Sequence, residues 1–164
     1  CRCGYLSDPG RACNKAPRCA EEYTSRISGP MMDRIDLHID APMIDTLEIL
    51  AKAPGEPTAA VLARVSRARE LQSERYGGMN APQAVNACAS GDWLEKFCLP
   101  DGAGMTMLEE AMRRFKLSMR AYTRVLRVAR TVADLEDASA VTKHHVAEAL
   151  SYRQMQYGKL PVGV

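Results

Sequence analysis

The second half of the chain carries apolar positions at helical spacing. Tyr122, Val125, Ala129 and Val132 recur every three or four residues and define one apolar face. Further apolar residues widen this face: Leu126, Val128, Ala133 and Leu135. Because Ser118 stands where a helix N-cap is expected, the pattern predicts a helix reaching about residue 137 and packed on two sides.

Helix-capping and helix-breaking residues predict the other helices. Thr58 is the expected N-cap of a helix that runs to Arg75 and stops at the following Gly-Gly pair, and Thr142 is the expected N-cap of the last helix. The last helix is expected to reach about residue 157. The same reasoning predicts four shorter helices, over 21–27, 31–34, 90–97 and 103–115.

One segment carries strand periodicity. Ile35, Leu37 and Ile39 alternate with polar residues over 35–41, which is typical of a strand with one buried face. A single strand cannot satisfy its own backbone hydrogen bonds, so its partners are expected upstream of residue 1. The chain also opens without methionine, and we expect a piece of a longer protein.

Composition and charge narrow the function classes. The 164 residues are 46% hydrophobic and 26% charged, with a net charge of only +2, which gives no bulk electrostatic reason to bind nucleic acid or membrane. No apolar run approaches the ~18–20 residues of a membrane helix, and no leader is visible, so we expect a cytoplasmic protein. A Walker A phosphate loop is absent, and no complete active site is visible.

The basic residues are concentrated in one region. Arg113 to Arg130 holds seven positive charges, and no acidic residue occurs over 111–133. Like charges at helical spacing repel by about 0.2–0.5 kcal/mol per pair, so we expect an anionic group to bind near these residues and neutralise them. The candidates are a nucleotide phosphate near Arg120, acidic residues of other helices, and DNA.

Four cysteines lie within the first 19 residues, in the pattern C-x-C-x₉-C-x₅-C. Thiolates of Cys1, Cys3, Cys13 and Cys19 can close a tetrahedral zinc site, and reduced cysteines without metal are the alternative. The remaining candidates are interpreted as structural: Cys88 and Cys98 as packing thiols, Trp93 and Phe97 as core, and His38, His144 and His145 as non-catalytic.

Three features together resemble one family. They are the cysteine cluster, the segment Ser28–Leu37 (SGPMMDRIDL) and the segment Leu117–Tyr122 (LSMRAY). In that order they resemble the C-terminal half of a magnesium-chelatase-like AAA+ ATPase, and most of all its ComM/YifB-like branch. The resemblance implies a mainly α fold: the C-terminal end of an AAA+ α/β core (one strand, short helices) over 1–56, then a helical lid bundle over 57–164.

The resemblance also implies roles for two arginines. Arg34 matches the family's catalytic arginine finger, with a local ion pair to Asp33, Asp36 or Asp40 as the alternative, and Arg120 matches the nucleotide-binding sensor 2. It further implies ATP and Mg²⁺ in the parent protein, a hexameric ring of identical copies, and DNA as the partner. The Walker motifs would lie upstream, so this chain alone should not hydrolyse ATP. Two alternatives stay open: a non-catalytic DNA- or protein-binding helical module, and a magnesium chelatase subunit of tetrapyrrole synthesis.

Overall fold

The computed structural model describes residues 4–5, 10–11, 13–39, 55–77 and 84–153. The chain forms two compact units, one made of Cys1–Gly55 with Arg153–Val164 and the other of Glu56–Tyr152. The described residues are mainly helical, as predicted. Among them, no helix is both long enough and apolar enough to cross a membrane.

The described residues of the first unit form two short helices, α1 (Arg18–Thr24) and α2 (Gly29–Met32). The sequence analysis predicted the first of these helices over 21–27, so α1 begins three residues earlier than expected. Pro17 occupies the N-cap position, where proline is tolerated because the first N–H groups of a helix lack intrahelical partners. Pro30 occupies the first turn of α2 for the same reason.

The predicted strand is not present. Residues 35–39 are irregular, and residues 40–41 lie outside the described chain. Ile35, Leu37 and Ile39 are exposed by 39%, 46% and 72%. The three alternating apolar side chains therefore do not form a buried face among the described residues. The prediction was wrong because a strand needs a neighbouring strand to satisfy its backbone, which the pattern of one segment cannot supply.

Within the described part of the second unit, residues 56–77 and 84–152, there are five α-helices and one 3₁₀ turn. The helices are α3 (Thr58–Arg75), α4 (Asp92–Cys98), α5 (Gly102–Phe115), α6 (Met119–Leu135) and α7 (Lys143–Ser151), and the 3₁₀ turn is Asn86–Cys88. All five were predicted, although α7 ends at Ser151, well before residue 157. Thr58 is the first helical residue rather than the N-cap, which is Pro57.

Two of the predicted caps are confirmed. The Ser118 hydroxyl accepts a hydrogen bond from the Ala121 N–H at 3.1 Å, and Thr142 forms a capping box with His145. Such caps satisfy backbone donors that a helix leaves unpaired at its N-terminus, and each is worth about 1 kcal/mol. The sequence therefore predicted where α6 and α7 begin.

The core of the second unit is organised around α6. This helix packs against α3, α4, α7 and the 3₁₀ turn, and α5 packs against α7. Val125, Leu126 and Ala129 are fully buried. Trp93 and Phe97 stack with centroids 5.7 Å apart and pack against this core, as predicted.

A close approach at the start of α5 requires glycine. The Asp101 carboxylate caps the helix by accepting from the Gly104 N–H at 2.7 Å, and the preceding Pro100 pairs with Val141 in a parallel bridge. A Cβ at residue 104 would lie 2.7 Å from the Pro100 Cβ. Any larger residue would push α5 away from this bridge.

The two later cysteines differ in environment. Cys98 is fully buried, as expected of a packing thiol, and its Sγ lies 3.8 Å from the Tyr76 hydroxyl. Burial raises the pKa of the Cys98 thiol. Cys88 is exposed at the end of the 3₁₀ turn, so its assignment as a packing thiol was wrong.

We expect iodoacetamide to alkylate Cys88 readily in the native protein and to leave Cys98 unmodified at neutral and mildly alkaline pH. The reagent attacks thiolates, and Cys98 is both inaccessible and held in its neutral form. Peptide mapping by mass spectrometry after timed alkylation measures both sites in one sample. The denatured protein is the control, in which both sites should react; equal native rates would contradict the buried position of Cys98.

Candidate functional site

Arg34 lies in the turn that follows α2. Its backbone N–H bonds the Met31 carbonyl at 3.0 Å and so continues the helical turn. The side chain is exposed, and Nη1 donates to the Pro30 carbonyl at 3.1 Å. This contact is local to the turn, so the guanidinium reaches solvent from a short, well-defined segment.

A second arginine contacts the residues on both sides of Arg34, one through its backbone and the other through its side chain. Arg153 Nη1 donates to the Ile35 carbonyl at 2.8 Å, and its Nη2 lies 3.7 Å from the Asp33 carboxylate. The Arg153 side chain is only 6% exposed. Sequence reasoning missed this residue, because 118 positions separate it from Ile35 and no local pattern marks the pair.

Arg120 lies in the first turn of α6. Its side chain is exposed, and the first turn of this helix contains no acidic residue. The N-terminus of a helix carries a partial positive charge, and its unpaired N–H groups favour anions. Arg120 therefore adds a full positive charge to a helix end that already attracts negative groups.

The rest of the basic run divides into exposed and buried members. Arg113, Arg114 and Lys116 are exposed like Arg120. Arg127 is half-buried and donates from Nε to the Ala89 carbonyl at 2.9 Å, and Arg130 is 2% exposed. Carbonyl groups of the same unit therefore pair with Arg127 and Arg130, and Arg130 also pairs with Asp134 of its own helix, whereas the sequence analysis named acidic residues of other helices.

Arg130 belongs to a buried ionic network around Asp134. The Asp134 side chain is fully buried and accepts from Arg130 Nε at 3.1 Å. Arg75 of α3 donates to both carboxylate oxygens, at 2.5 and 2.8 Å, in a bidentate pair. Arg130 also donates to the Ser139 and Ala138 carbonyls, which follow α6.

Asn86 of the 3₁₀ turn completes the network. Its Nδ2 donates to Asp134 at 2.7 Å and to Thr131 at 3.1 Å, while its Oδ1 accepts from the Tyr76 hydroxyl at 2.9 Å. Four donors therefore fill the four acceptor positions of one buried carboxylate. The network connects α3, the 3₁₀ turn and the C-terminal half of α6.

The network holds its two arginines in different electrostatic environments. Burial lowers the pKa of Arg130, although the Asp134 charge opposes this effect. Burial also disfavours the charged form of Arg75, but the hydrogen bond and charge of Asp134 outweigh it and raise the pKa of Arg75. A free arginine has a pKa far above neutrality, so both guanidinium groups remain positively charged at physiological pH. The role of the network is structural.

The cysteine cluster is partly described. Cys19 lies in the first turn of α1, and its Sγ is 3.2 Å from the Cys13 Sγ. Both thiols are half-buried and not joined in a disulfide. Cys1 and Cys3 lie outside the described residues, so the structure brings together two of the four cysteines named from the sequence.

The family comparisons cover both units. Residues 55–153 match the family described as the C-terminal domain of magnesium chelatase subunit ChlI. Residues 1–49 match the family described as magnesium chelatase subunit ChlI. The two matches follow the same order along the chain as the resemblance noted from the sequence motifs.

Individual relatives match most of the chain. It is 36% identical over 141 residues to the competence protein ComM of Haemophilus influenzae, covering 85% of this chain and 26% of that protein. It is 37% identical over 146 residues to YifB, an uncharacterized protein of Escherichia coli, covering 83% of this chain and 27% of that one. An uncharacterized Mycobacterium tuberculosis protein is 36% identical over 150 residues, covering 90% of this chain and 29% of its own length. The chain thus spans about a quarter of the length of these relatives.

Proposed function

Because the chain belongs to the family of the magnesium chelatase ChlI subunit, as a ComM/YifB-like member, we propose that it forms the C-terminal part of a Mg²⁺-dependent AAA+ ATPase. The complete protein would assemble as a cytoplasmic hexameric ring and move on DNA, as the family resemblance of its sequence motifs implies. One observation carries the proposal: Arg34 and Arg120 each present an exposed guanidinium from a defined helical turn.

Arg34 would act as the arginine finger of a neighbouring subunit. Phosphoryl transfer spreads negative charge over the γ-phosphate oxygens, and a positioned guanidinium stabilises that charge in the transition state. Exposure lets Arg34 reach a nucleotide outside its own unit, and the Arg153 contacts fix the backbone from which it projects. A finger supplied by a neighbour also makes hydrolysis depend on ring assembly.

Arg120 would bind the nucleotide phosphates within its own subunit. The Ser118 cap fixes the start of α6, and the absence of acidic residues in the first turn leaves the helix end favourable for an anion. ATP and Mg²⁺ would be held mainly by residues upstream of this chain, which contains no Walker A sequence. The two arginines would bind and orient phosphate oxygens.

Zinc is the metal we propose for the cysteine cluster. Cys13 and Cys19 bring two sulfur atoms together in a half-buried position, which fits half of a four-thiolate site. Cys1 and Cys3 would supply the other two ligands. The metal would replace a hydrophobic core in stabilising this irregular segment.

The experiment that tests the proposed function is ATP turnover of the full-length parent with and without DNA. We expect Mg²⁺-dependent turnover that DNA stimulates. Turnover that DNA does not affect would favour a magnesium chelatase subunit. Absence of turnover in an assembled, nucleotide-containing ring would contradict the ATPase.

A second candidate function is a DNA-binding helical module without catalysis. It is favoured by the exposed basic side chains near the junction of α5 and α6, which are Arg113, Arg114, Lys116 and Arg120. DNA affinity of the 164-residue chain that falls steeply with salt would support it. No binding at ~50 mM salt would favour the ATPase lid.

Replacing Arg120 with alanine in the full-length parent is expected to weaken ATP binding by roughly 10- to 100-fold. The lost interaction is a charge-assisted hydrogen bond to phosphate, worth about 1.5–3 kcal/mol. Arg113→Ala is the matched control, since it removes an equally exposed positive charge from the last turn of α5. Titration with a fluorescent ATP analogue measures both variants, and equal affinities would remove Arg120 from the nucleotide site.

A further inference from the structure

A cluster of metal-binding side chains lies where α6 ends and α7 begins. Glu136 is the C-cap residue of α6, and His144 and Glu148 lie one turn apart on the same face of α7. One ligand atom from each of these three residues lies within 4.8 Å of the other two. The proposed ATPase function uses none of them.

Both carboxylates of the cluster are oriented by neighbouring groups. The Thr142 N–H donates to His145 Nδ1 at 2.9 Å, so the ring proton is on Nε2, which donates to Glu136 Oε2 at 3.0 Å. The His145 side chain is only 4% exposed and therefore rigidly placed. The other oxygen, Oε1, lies 3.6 Å from His144 Nε2.

Glu148 is held in a similar way, because the Tyr152 hydroxyl donates to its Oε1 at 3.1 Å. Hydrogen bonds that orient carboxylate ligands are a common feature of protein metal sites. Each of these bonds involves one carboxylate oxygen, Oε2 of Glu136 and Oε1 of Glu148, so each carboxylate has a second oxygen that could bind a metal.

The electrostatics of the cluster favour a cation. The C-terminus of a helix carries a partial negative charge, yet α6 has no basic residue in its last turn and ends on Glu136. Glu148 places a second carboxylate within 4.8 Å of the first. Arg130 pairs with the carbonyls of Ala138 and Ser139 beyond the end of α6, but the two carboxylates of the cluster still repel each other unless a positive charge lies between them.

We propose that Glu136, His144 and Glu148 bind a divalent transition-metal ion of the Zn²⁺ class. One imidazole nitrogen and two carboxylate oxygens suit Zn²⁺, Co²⁺ or Ni²⁺, whereas Mg²⁺ prefers oxygen ligands alone. Zinc–ligand bonds of about 2.0–2.2 Å are within reach through rotation of these side chains, since Glu136 and His144 are exposed and Glu148 is half-buried. Three protein ligands leave one position for water, and the bound ion links the end of α6 to α7.

Zinc binding to the 164-residue chain tests the site. Because the cysteine cluster proposed above would bind the same metals, the background variant has Cys1, Cys3, Cys13 and Cys19 changed to serine. Isothermal titration with Zn²⁺ and with Mg²⁺ measures affinity. Optical spectra with Co²⁺ report the ligands, and we expect one Co²⁺ ion without a sulfur-to-metal charge-transfer band.

Two variants separate metal binding from folding. His144→Gln changes a side chain that is 71% exposed, so the helices should persist by circular dichroism while zinc binding is lost. His145→Gln should weaken zinc binding by about 10–100-fold, because Glu136 loses its orienting hydrogen bond. Lys143→Gln, the exposed neighbour, is the control and should bind zinc normally. No zinc binding by the background variant, or equal affinity in His144→Gln, would overturn the proposal.

Discussion

Asp134→Ala is expected to lower the free energy of unfolding of residues 56–152 by about 3–5 kcal/mol. The carboxylate is fully buried and accepts hydrogen bonds from Arg75, Arg130 and Asn86. Removing it takes away the one negatively charged acceptor that the two guanidinium groups and the amide share, and leaves only neutral acceptors such as the Ala138 and Ser139 carbonyls. Since single domains are stable by only about 5–15 kcal/mol, much of the folded population is lost.

The cost comes from the arginines that remain. An unpaired charge in a buried position is far more unfavourable than a missing surface pair, because water cannot replace the lost partner. Arg130 is affected most, since it is 2% exposed, whereas the Arg75 side chain is 13% exposed and reaches the solvent edge. Asp134→Asn keeps the shape of the side chain and removes the charge, so it should also be destabilising.

Asp137→Asn is the matched control for this experiment. Asp137 also pairs with an arginine of α3, Arg67, at 3.2 Å, but both side chains are exposed. Asn tolerates the positive φ of 56° at this position, and a surface pair is worth about 0–1 kcal/mol. Urea denaturation of the 164-residue chain compares the variants; equal midpoints for Asp134→Asn and Asp137→Asn would contradict the structural role of the network.

Most of the helical unit could be predicted because its signals are local. Ser118 and Thr142 cap the helices that follow them, and both confirmed predictions depend on residues three positions apart. The apolar spacing of α6 likewise predicted Val125 and Ala129 as core. Helix ends and helix faces are set by neighbouring residues, so one sequence is enough to find them.

The buried network could not be predicted in the same way. Arg130 and Asp134 are four residues apart on one helix, and that pair was visible. Arg75 and Asn86 reach the same carboxylate from 59 and 48 positions away, and nothing in the local pattern connects them. Sequence reasoning therefore treated Arg130 as part of an uncompensated basic run, although in the folded protein it forms an ion pair with Asp134.

The predicted strand failed for a related reason. Alternation over 35–39 indicates a possible buried face but contains no information about the partner strand. The contacts of Arg153 with Asp33 and Ile35 show what orders the segment next to Arg34 instead. The Arg153 side chain, distant in sequence, supports the backbone that strand pairing was expected to support.

Arg34→Ala in the full-length parent is expected to reduce ATP turnover by roughly 10³–10⁵-fold while ATP affinity stays unchanged. The finger contributes to the transition state through charge that develops only during transfer, so its loss affects kcat and not binding. Arg34→Lys should not restore turnover, because an ammonium group lacks the planar fork of a guanidinium. Single-turnover hydrolysis and nucleotide titration measure the two quantities separately.

Arg153→Ala should act on the same step through position. It removes the donor to the Ile35 carbonyl and the ion pair with Asp33, so the segment carrying Arg34 loses the group that fixes it. Turnover should then fall by less than in Arg34→Ala. The double variant should be no slower than Arg34→Ala alone, because once the finger is missing its misplacement has no further effect.

Arg26→Ala is the control: this guanidinium lies over the Tyr23 ring at 5.7 Å, and its loss should leave turnover intact. Full turnover in Arg34→Ala would remove the finger assignment, and additive losses in the double variant would show that Arg153 acts elsewhere.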